Sequence, residues 1–228
     1  KGSGMIHPDM ATMLAFITCD AGVDPQWWQR TLQAAVNRSF NAVTVDGDTS
    51  TNDTVLAFAA GAPLPTEHLP RLAHGLERLC CDLARAIARD GEGATCLLEV
   101  TVSGAATAAE ARTMARTICS SSLVKTAIHG RDPNWGRIVA AAGRSGAPLD
   151  PDALALWIGP HQVLKDGRPL AVDRAAVGRY LQERAAGAYL QDDCVAIRLA
   201  VGAGPASGSA WGCDLSQEYI RINAHYTT

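Results

Sequence analysis

The chain has 228 residues, 47% of them hydrophobic and 19% charged, which fits one large or two small globular domains and excludes disorder. Its 20 basic and 23 acidic residues leave a net charge of -3. The basic ones are almost all Arg and lie scattered, so no stripe is available to neutralise a nucleic-acid backbone.

The longest apolar stretch, Val55 to Leu64, carries internal breakers and falls short of the roughly 20 residues of a membrane helix. Neither nucleic acid nor a membrane is therefore expected as a partner. Lys1 in place of Met, with no charged and apolar leader behind it, is expected of a piece of a longer, non-secreted protein. The cysteines at 19, 80, 81, 96, 119, 194 and 213 are odd in number and include no C-x-x-C pair, so a reducing compartment and no zinc site are expected.

In chain order, Met13 to Asp20 reads as a short buried strand, and Asp24-Pro25 opens a helix continued by Trp28, Leu32, Val36 and Phe40. Val55 to Ala59 is strand-like. A long helix is expected from about Thr66 to Arg89, with Leu69, Leu72, Leu76, Leu79, Leu83 and Ile87 on one face and Gly91 just past its end. Cys96 to Val102, Leu154 to Ile158 and Cys194 to Val201 are further strand-like runs. Thr107 with Glu110 gives a capping box for a helix of about ten residues, Ile138 to Ala142 reads as an apolar helix, and Asp173 opens one carrying Val177, Tyr180 and Leu181. Lys165-Asp166-Gly167-Arg168 reads as a hairpin turn. The alternation is mixed α/β, and 147–151 is the best internal boundary.

Polar islands between these runs are the candidates for chemistry. Residues 1–12 form a Gly-rich approach to a strand. A Thr there is structurally ordinary, but Thr12 follows a small residue, where its own hydroxyl could attack a strained backbone. An N-to-O acyl shift would then leave Thr12 as a new N-terminus whose α-amine activates its hydroxyl. The island 46–54 lacks the Gly and Glu that a calcium loop requires, and a plain solvated loop is favoured over a hydrogen-bonded turn packed beside a site. Residues 88–95 lack a phosphate-loop ending. Their glycines let Glu92 sit in tight backbone and face a ligand ammonium, a surface Glu in a helix-ending turn being the equal alternative. In 130–137 the Asp132-Pro133 start suffices as a structural explanation, with Trp135 as packing. Gly202 to Pro205 matches a dinucleotide fingerprint only superficially. Residues 223–228 read as a frayed end.

Taken together, KGSGMIHPDMATML, TVDGDTSTNDT, ARDGEGAT, SSLVKTAIHGRDPNWGR and EYIRINAHYTT resemble the ornithine acetyltransferase family, the bifunctional glutamate N-acetyltransferases of arginine biosynthesis, over essentially the whole chain. The resemblance implies a self-processing α/β sandwich with the nucleophile at the start of an inner strand. A precursor would be cut between Ala11 and Thr12, leaving 1–11 as the tail of an α chain and 12–228 as the β chain, in an α2β2 heterotetramer. Thr12 is the implied nucleophile, and Lys1, Thr12, Glu92, Asn223 and Thr228 fall on substrate-contacting positions. The family's oxyanion-hole Thr-Gly pair lies upstream, so this chain alone is expected to be inactive.

The implied reaction moves the acetyl group of N2-acetyl-L-ornithine to L-glutamate through an acetyl-threonine. No cofactor and no metal are implied, and acetyl-CoA as a further donor is left open. A cytoplasmic location is expected. Three positions depart from the family's pattern: Asp9 replaces Asn near the scissile bond, Cys96 stands in place of a basic residue, and His225 in place of an acidic one. The rival readings are an N-terminal-nucleophile amidase or aminopeptidase, which would hand the acyl group to water, and a catalytically inactive module.

Overall fold

The computed structural model describes residues 2–7, 13–50 and 52–225. Its frame is two sheets with helices between and around them. The smaller holds β1 (Leu14–Gly22) and β2 (Thr54–Pro63), paired in parallel from Leu14 opposite Thr54 to Gly22 opposite Pro63. The larger holds β3 (Leu97–Ala105), β4 (Ala155–Ile158), β5 (His161–Lys165), β6 (Arg168–Pro169), β7 (Cys194–Ala200) and β8 (Ala206–Cys213), in the order β6-β5-β4-β7-β3-β8. In it β3 and β7 run parallel and the other neighbours antiparallel. Strands from both sides of 147–151 share this sheet.

Between the sheets lie α1 (Pro25–Arg38) and α2 (Leu69–Arg89). Asp24 caps α1 by accepting from Trp27 N at 2.8 Å, and Trp28 Nε1 donates to Ala57 O at 3.0 Å, tying α1 to β2. Phe40 falls beyond α1 in a 3-10 turn and is fully buried. α1 packs on α2, which in turn packs on β3 and β8.

Helix α2 starts later than expected, after a 3-10 turn at Thr66–His68, with Pro70 in its first turn. Its buried row is Leu76, Cys80, Ala84 and Ala88, spaced four apart, while Leu79 and Leu83 of the expected face are exposed. The small side chains decide this, because a row of Cys and Ala lets the helix approach the sheet more closely than a row of Leu would.

The core strand β3 alternates. Leu98, Val100 and Val102 are fully buried on one face and Leu97 at the start of the other, each worth roughly 1.5–3 kcal/mol, while Glu99, Thr101 and Ser103 of that second face are half-buried or exposed. Strand β1 differs from the buried strand expected: Leu14 and Phe16 are 67% and 66% exposed and Phe58 of β2 is 57% exposed. Its residues are apolar enough for two covered faces, but the described residues cover only one.

Three further helices follow the sequence signals to different degrees. Thr107 and Glu110 make the capping box of α3 (Ala108–Ser120), longer than expected at 13 residues. Asn134 caps α5 (Trp135–Gly143), and Asp173 caps α6 (Arg174–Ala185). The hairpin turn forms as expected, with Asp166 and Gly167 at φ 48° and 68° and Lys165 opposite Arg168. Helix α4 (Ser122–His129), strand β8 and helix α7 (Gln217–His225) were not foreseen. β8 escaped because its ASGSAWGC sequence is built of small residues: a Cβ on Gly208 would lie 2.8 Å from Arg112 N, so the strand is shaped to admit α3.

Candidate functional site

The site is assembled where α2 ends. Gly91 forms a parallel bridge with Ser3, Ser3 N donates to Asp90 O at 2.7 Å, and Glu92 N donates to Ser3 O at 3.0 Å. Ser3 Oγ adds a hydrogen bond to Ile87 O at 2.8 Å. A Cβ on Gly2, whose φ is +97°, would fall 2.9 Å from Asp90 O, so this clasp needs bare backbone. It turns Glu92 inward: the residue is 5% exposed, and its Oε2 accepts from Asn223 Nδ2 at 2.8 Å. Gly4 lies against the same carboxylate, where a Cβ would be 2.8 Å from Oε2. The surface-Glu alternative is thereby overturned.

Helix α7 completes this wall. Ser216 Oγ donates to Gly93 O at 2.6 Å and accepts from Glu218 N at 3.2 Å, fixing where α7 begins. Asn223 Nδ2 also donates to Tyr219 O at 3.0 Å. The segment read as a frayed end is thus helical through His225 and docked at its start. Asn223 meets Glu92 from 131 positions away.

The island 46–54 is not a plain loop. Asp46 accepts from Met5 N at 2.6 Å and Ile6 N at 3.1 Å, and Val45 N donates to Ile6 O at 2.7 Å. Thr44 Oγ1 lies 2.8 Å from His7 Nδ1, and Thr49 Oγ1 donates to His7 O at 3.0 Å. On the other side Met13 N donates to Asp53 Oδ1, and Thr54 N donates to Met13 O at 2.8 Å. The island therefore holds both His7 and Met13. Beneath it the buried Lys125 donates from Nζ to Val45 O. The Tyr219 phenol is pushed up to about 12, first by burial, then by the nearby Asp46, Glu92 and Asp48 carboxylates, and by its hydrogen bond to Asp46.

A second polar knot joins two other motifs. The buried Asp214 accepts from Thr95 N at 2.7 Å, Thr95 Oγ1 at 2.6 Å, Cys96 N at 3.1 Å and His129 Nδ1 at 2.8 Å. Arg131 Nη2 donates to Thr95 Oγ1 at 3.1 Å. Cys96 is fully buried in the core, its thiol pushed up to about 12 by burial and by Asp214. Among the described residues no three His, Cys, Asp or Glu side chains gather at metal-binding distance.

Of the residues singled out from the sequence, Glu92 and Asn223 are brought together. Lys1, Asp9, Ala11, Thr12 and Thr228 lie outside the described residues. His225 sits exposed in the last turn of α7. Sequence reasoning missed Gly4, Asp46, Asp53, Tyr219 and Asp214. For Asp46 and Asp53 the signal was the density of carboxylates and hydroxyls between two apolar runs; Asp214 carries none.

Comparison with known proteins gives one consistent result. A sequence model of the ArgJ family matches residues 1–228. The arginine biosynthesis bifunctional protein ArgJ of Prochlorococcus marinus (strain MIT 9313) is 65% identical over 228 residues, covering 100% of this chain and 53% of that protein. Its counterpart in Parasynechococcus marenigrum (strain WH8102) is 62% identical over 228 residues, covering 100% of this chain and 54% of that protein. The chain thus spans about half the length of the curated relatives it matches. The crystal structure of the arginine biosynthesis bifunctional protein argJ from Bacillus halodurans superposes with a TM-score of 0.87 at 43% identity, over 94% of this chain and 100% of that one.

Proposed function

The chain belongs to the ArgJ family, and from that premise we propose that it is the nucleophile-bearing half of an acetyltransferase that moves the acetyl group of N2-acetyl-L-ornithine to L-glutamate. The observation that carries this reading is the convergence of three distant segments, residues 2–4, 91–93 and α7, on one buried carboxylate. Both substrates are amino acids with ammonium and carboxylate groups. A buried carboxylate flanked by an amide donor offers an ammonium both an opposite charge and a hydrogen-bond acceptor. Lys1, one residue before the clasp, is the proposed partner of a substrate carboxylate.

The chemistry is ping-pong acyl transfer. Thr12, freed at its N-terminus by cleavage of the Ala11-Thr12 bond, attacks the acetyl carbonyl through Oγ while its α-amine takes the hydroxyl proton. The tetrahedral intermediate collapses, ornithine leaves with that proton, and the acetyl ester is attacked by the α-amine of glutamate. Donors for the oxyanion, worth about 3 kcal/mol each, come in this reading from the upstream α chain. The exposed face of Leu14, Phe16 and Phe58 supports a seat for that upstream half, since a two-stranded parallel sheet is not expected to stand uncovered. Acetyl-CoA as a second donor, an α2β2 assembly and a cytoplasmic location belong to the same proposal.

The test is intact-mass spectrometry of the full-length protein before and after mixing with N2-acetyl-L-ornithine. Two chains meeting at Ala11-Thr12, with one acetyl group on the Thr12 chain that glutamate removes, is the expected result. An acetyl group lost to water at the same rate without glutamate would make the protein an amidase, and an uncut, unacetylated protein would make it inactive.

A further inference from the structure

Thr95 of ARDGEGAT and the HGRDP turn of SSLVKTAIHGRDPNWGR meet at one buried carboxylate, Asp214. Its side chain has no exposed surface, and its roughly four acceptor positions are all filled. Oδ1 takes Thr95 N and Cys96 N; Oδ2 takes Thr95 Oγ1 and His129 Nδ1. A carboxylate only accepts, so the Thr95 hydroxyl gives its proton to Asp214 and turns a lone pair to Arg131 Nη2. Arg131 reaches it from a left-handed backbone, φ +57°, a conformation costly for a residue with a Cβ, while its Nη1 donates to Ile128 O at 2.8 Å.

Asp214 stands between the two halves of the substrate wall. On one side it holds Thr95, three residues past Glu92, and Cys96. On the other it leads directly into α7: Leu215 N donates to Lys125 O at 3.3 Å, Ser216 Oγ donates to Gly93 O, and the helix begins at Gln217 and brings Asn223 to Glu92 Oε2. A buried charged acceptor with four donors outweighs the single amide contact between Asn223 and Glu92, so the spacing of the two halves is set at Asp214.

We propose that Asp214 is a positioning residue for substrate binding: it holds the Glu92 loop and the start of α7 at the spacing that lets the Glu92 carboxylate meet a substrate ammonium beside the Asn223 amide, with His129 and Arg131 as its outer braces. This rests on the acyl-transfer reading above. Asp214 touches no substrate and exchanges no proton. In N2-acetyl-L-ornithine the α-nitrogen carries the acetyl group, so the free ammonium is the one at the far end of the side chain, several bonds from the bond that breaks. A contact to that end is made equally before and in the transition state, and its loss raises KM while leaving kcat.

The test is Asp214→Asn in the full-length protein, which keeps the size and one acceptor oxygen and turns an amide donor toward two donors. Expected is a KM for N2-acetyl-L-ornithine raised at least about tenfold with kcat within about threefold of the original. Glu92→Gln should raise KM in the same way, and adding Asp214→Asn to it should raise KM by no more than about twofold further, because both act on one contact. Damage unconnected with Glu92 would multiply instead. Where Asp214→Asn does not fold, Thr95→Val, which removes the hydroxyl and keeps the shape, is read in its place, and Thr95→Ser should return KM to within about twofold of the original. An unchanged KM in the folded variant, or effects that multiply in the double variant, overturns the role of Asp214. An unchanged KM in Glu92→Gln overturns the ammonium seat, and an unsubstituted protein that never carries acetyl-threonine overturns the reaction; either takes this role with it.

Discussion

Replacing Gly4 with Ala tests whether the Glu92 carboxylate is held where its chemistry needs it. Gly4 does not occupy the left-handed region, so the backbone accepts Ala, and the effect falls on the neighbour. The new Cβ would stand 2.8 Å from Glu92 Oε2, 3.0 Å from Cδ and 3.2 Å from Oε1. On an exposed Glu the side chain would swing away at little cost. Here the residue is 5% exposed and Oε2 is pinned by Asn223.

Retreat to ordinary contact takes the carboxylate back by roughly 0.6 Å or more, enough to stretch the Asn223 hydrogen bond past useful length. A hydrogen bond to a charged group contributes about 1.5–3 kcal/mol, which converts to about 10- to 100-fold in kcat/KM. The assay is acetyl transfer from N2-acetyl-L-ornithine to glutamate by the full-length protein, with thermal unfolding alongside. Asn223→Ala should act in the same direction, and the double variant should lose less than the sum, because both break one contact. A Gly4→Ala protein with unchanged kcat/KM and an unchanged melting temperature would refute the reasoning.

Two further outcomes follow from the same wall. Gly93→Ala places a Cβ 2.7 Å from Tyr219 N and 2.8 Å from Ser216 Oγ at a φ of +72°, so backbone must yield; a loss of about 2–4 kcal/mol in denaturant unfolding is expected, and native stability would contradict it. Tyr219 supplies a pH dependence. Its phenol stays protonated in the fold to about 12 while the unfolded chain ionises near its ordinary value of 10. The contribution is therefore fully present below pH 10 and lost as pH rises through 12. Thermal unfolding of the original protein should fall more steeply over that window than that of Tyr219→Phe, and parallel curves would remove the claim.

The regular elements were readable in the sequence wherever one local signal dominates. Asp24, Thr107 and Asp173 cap helices as their side chains suggest, and Asp166-Gly167 turns as its φ preferences dictate. What was misread depends on partners. The face of α2 followed Cys80, Ala84 and Ala88 rather than the larger Leu79 and Leu83, because helix–sheet distance is a tertiary quantity. β8 and α7 gave weak patterns because their small or polar residues are there to fit Arg112, Gly93 and Glu92. At the site, Glu92 was legible from its flanking glycines. Asp46 and Asp53 were visible only as a crowded loop, since their role is to receive N–H groups from a segment 40 residues away.

The clasp between residues 2–7 and the rest of the chain governs what a break in the backbone would do. Its bonds run from Ser3 to Asp90 and Glu92 and from Met5 and Ile6 to Val45 and Asp46, and each joins a residue before the Ala11-Thr12 bond to one after it. Severing that bond would leave every one of them in place. Before the break they close a loop within one molecule; afterwards they hold two molecules together, and only then does dilution act on them. Folding is thus the step that sets the geometry, and scission merely removes the tether from an assembly already made.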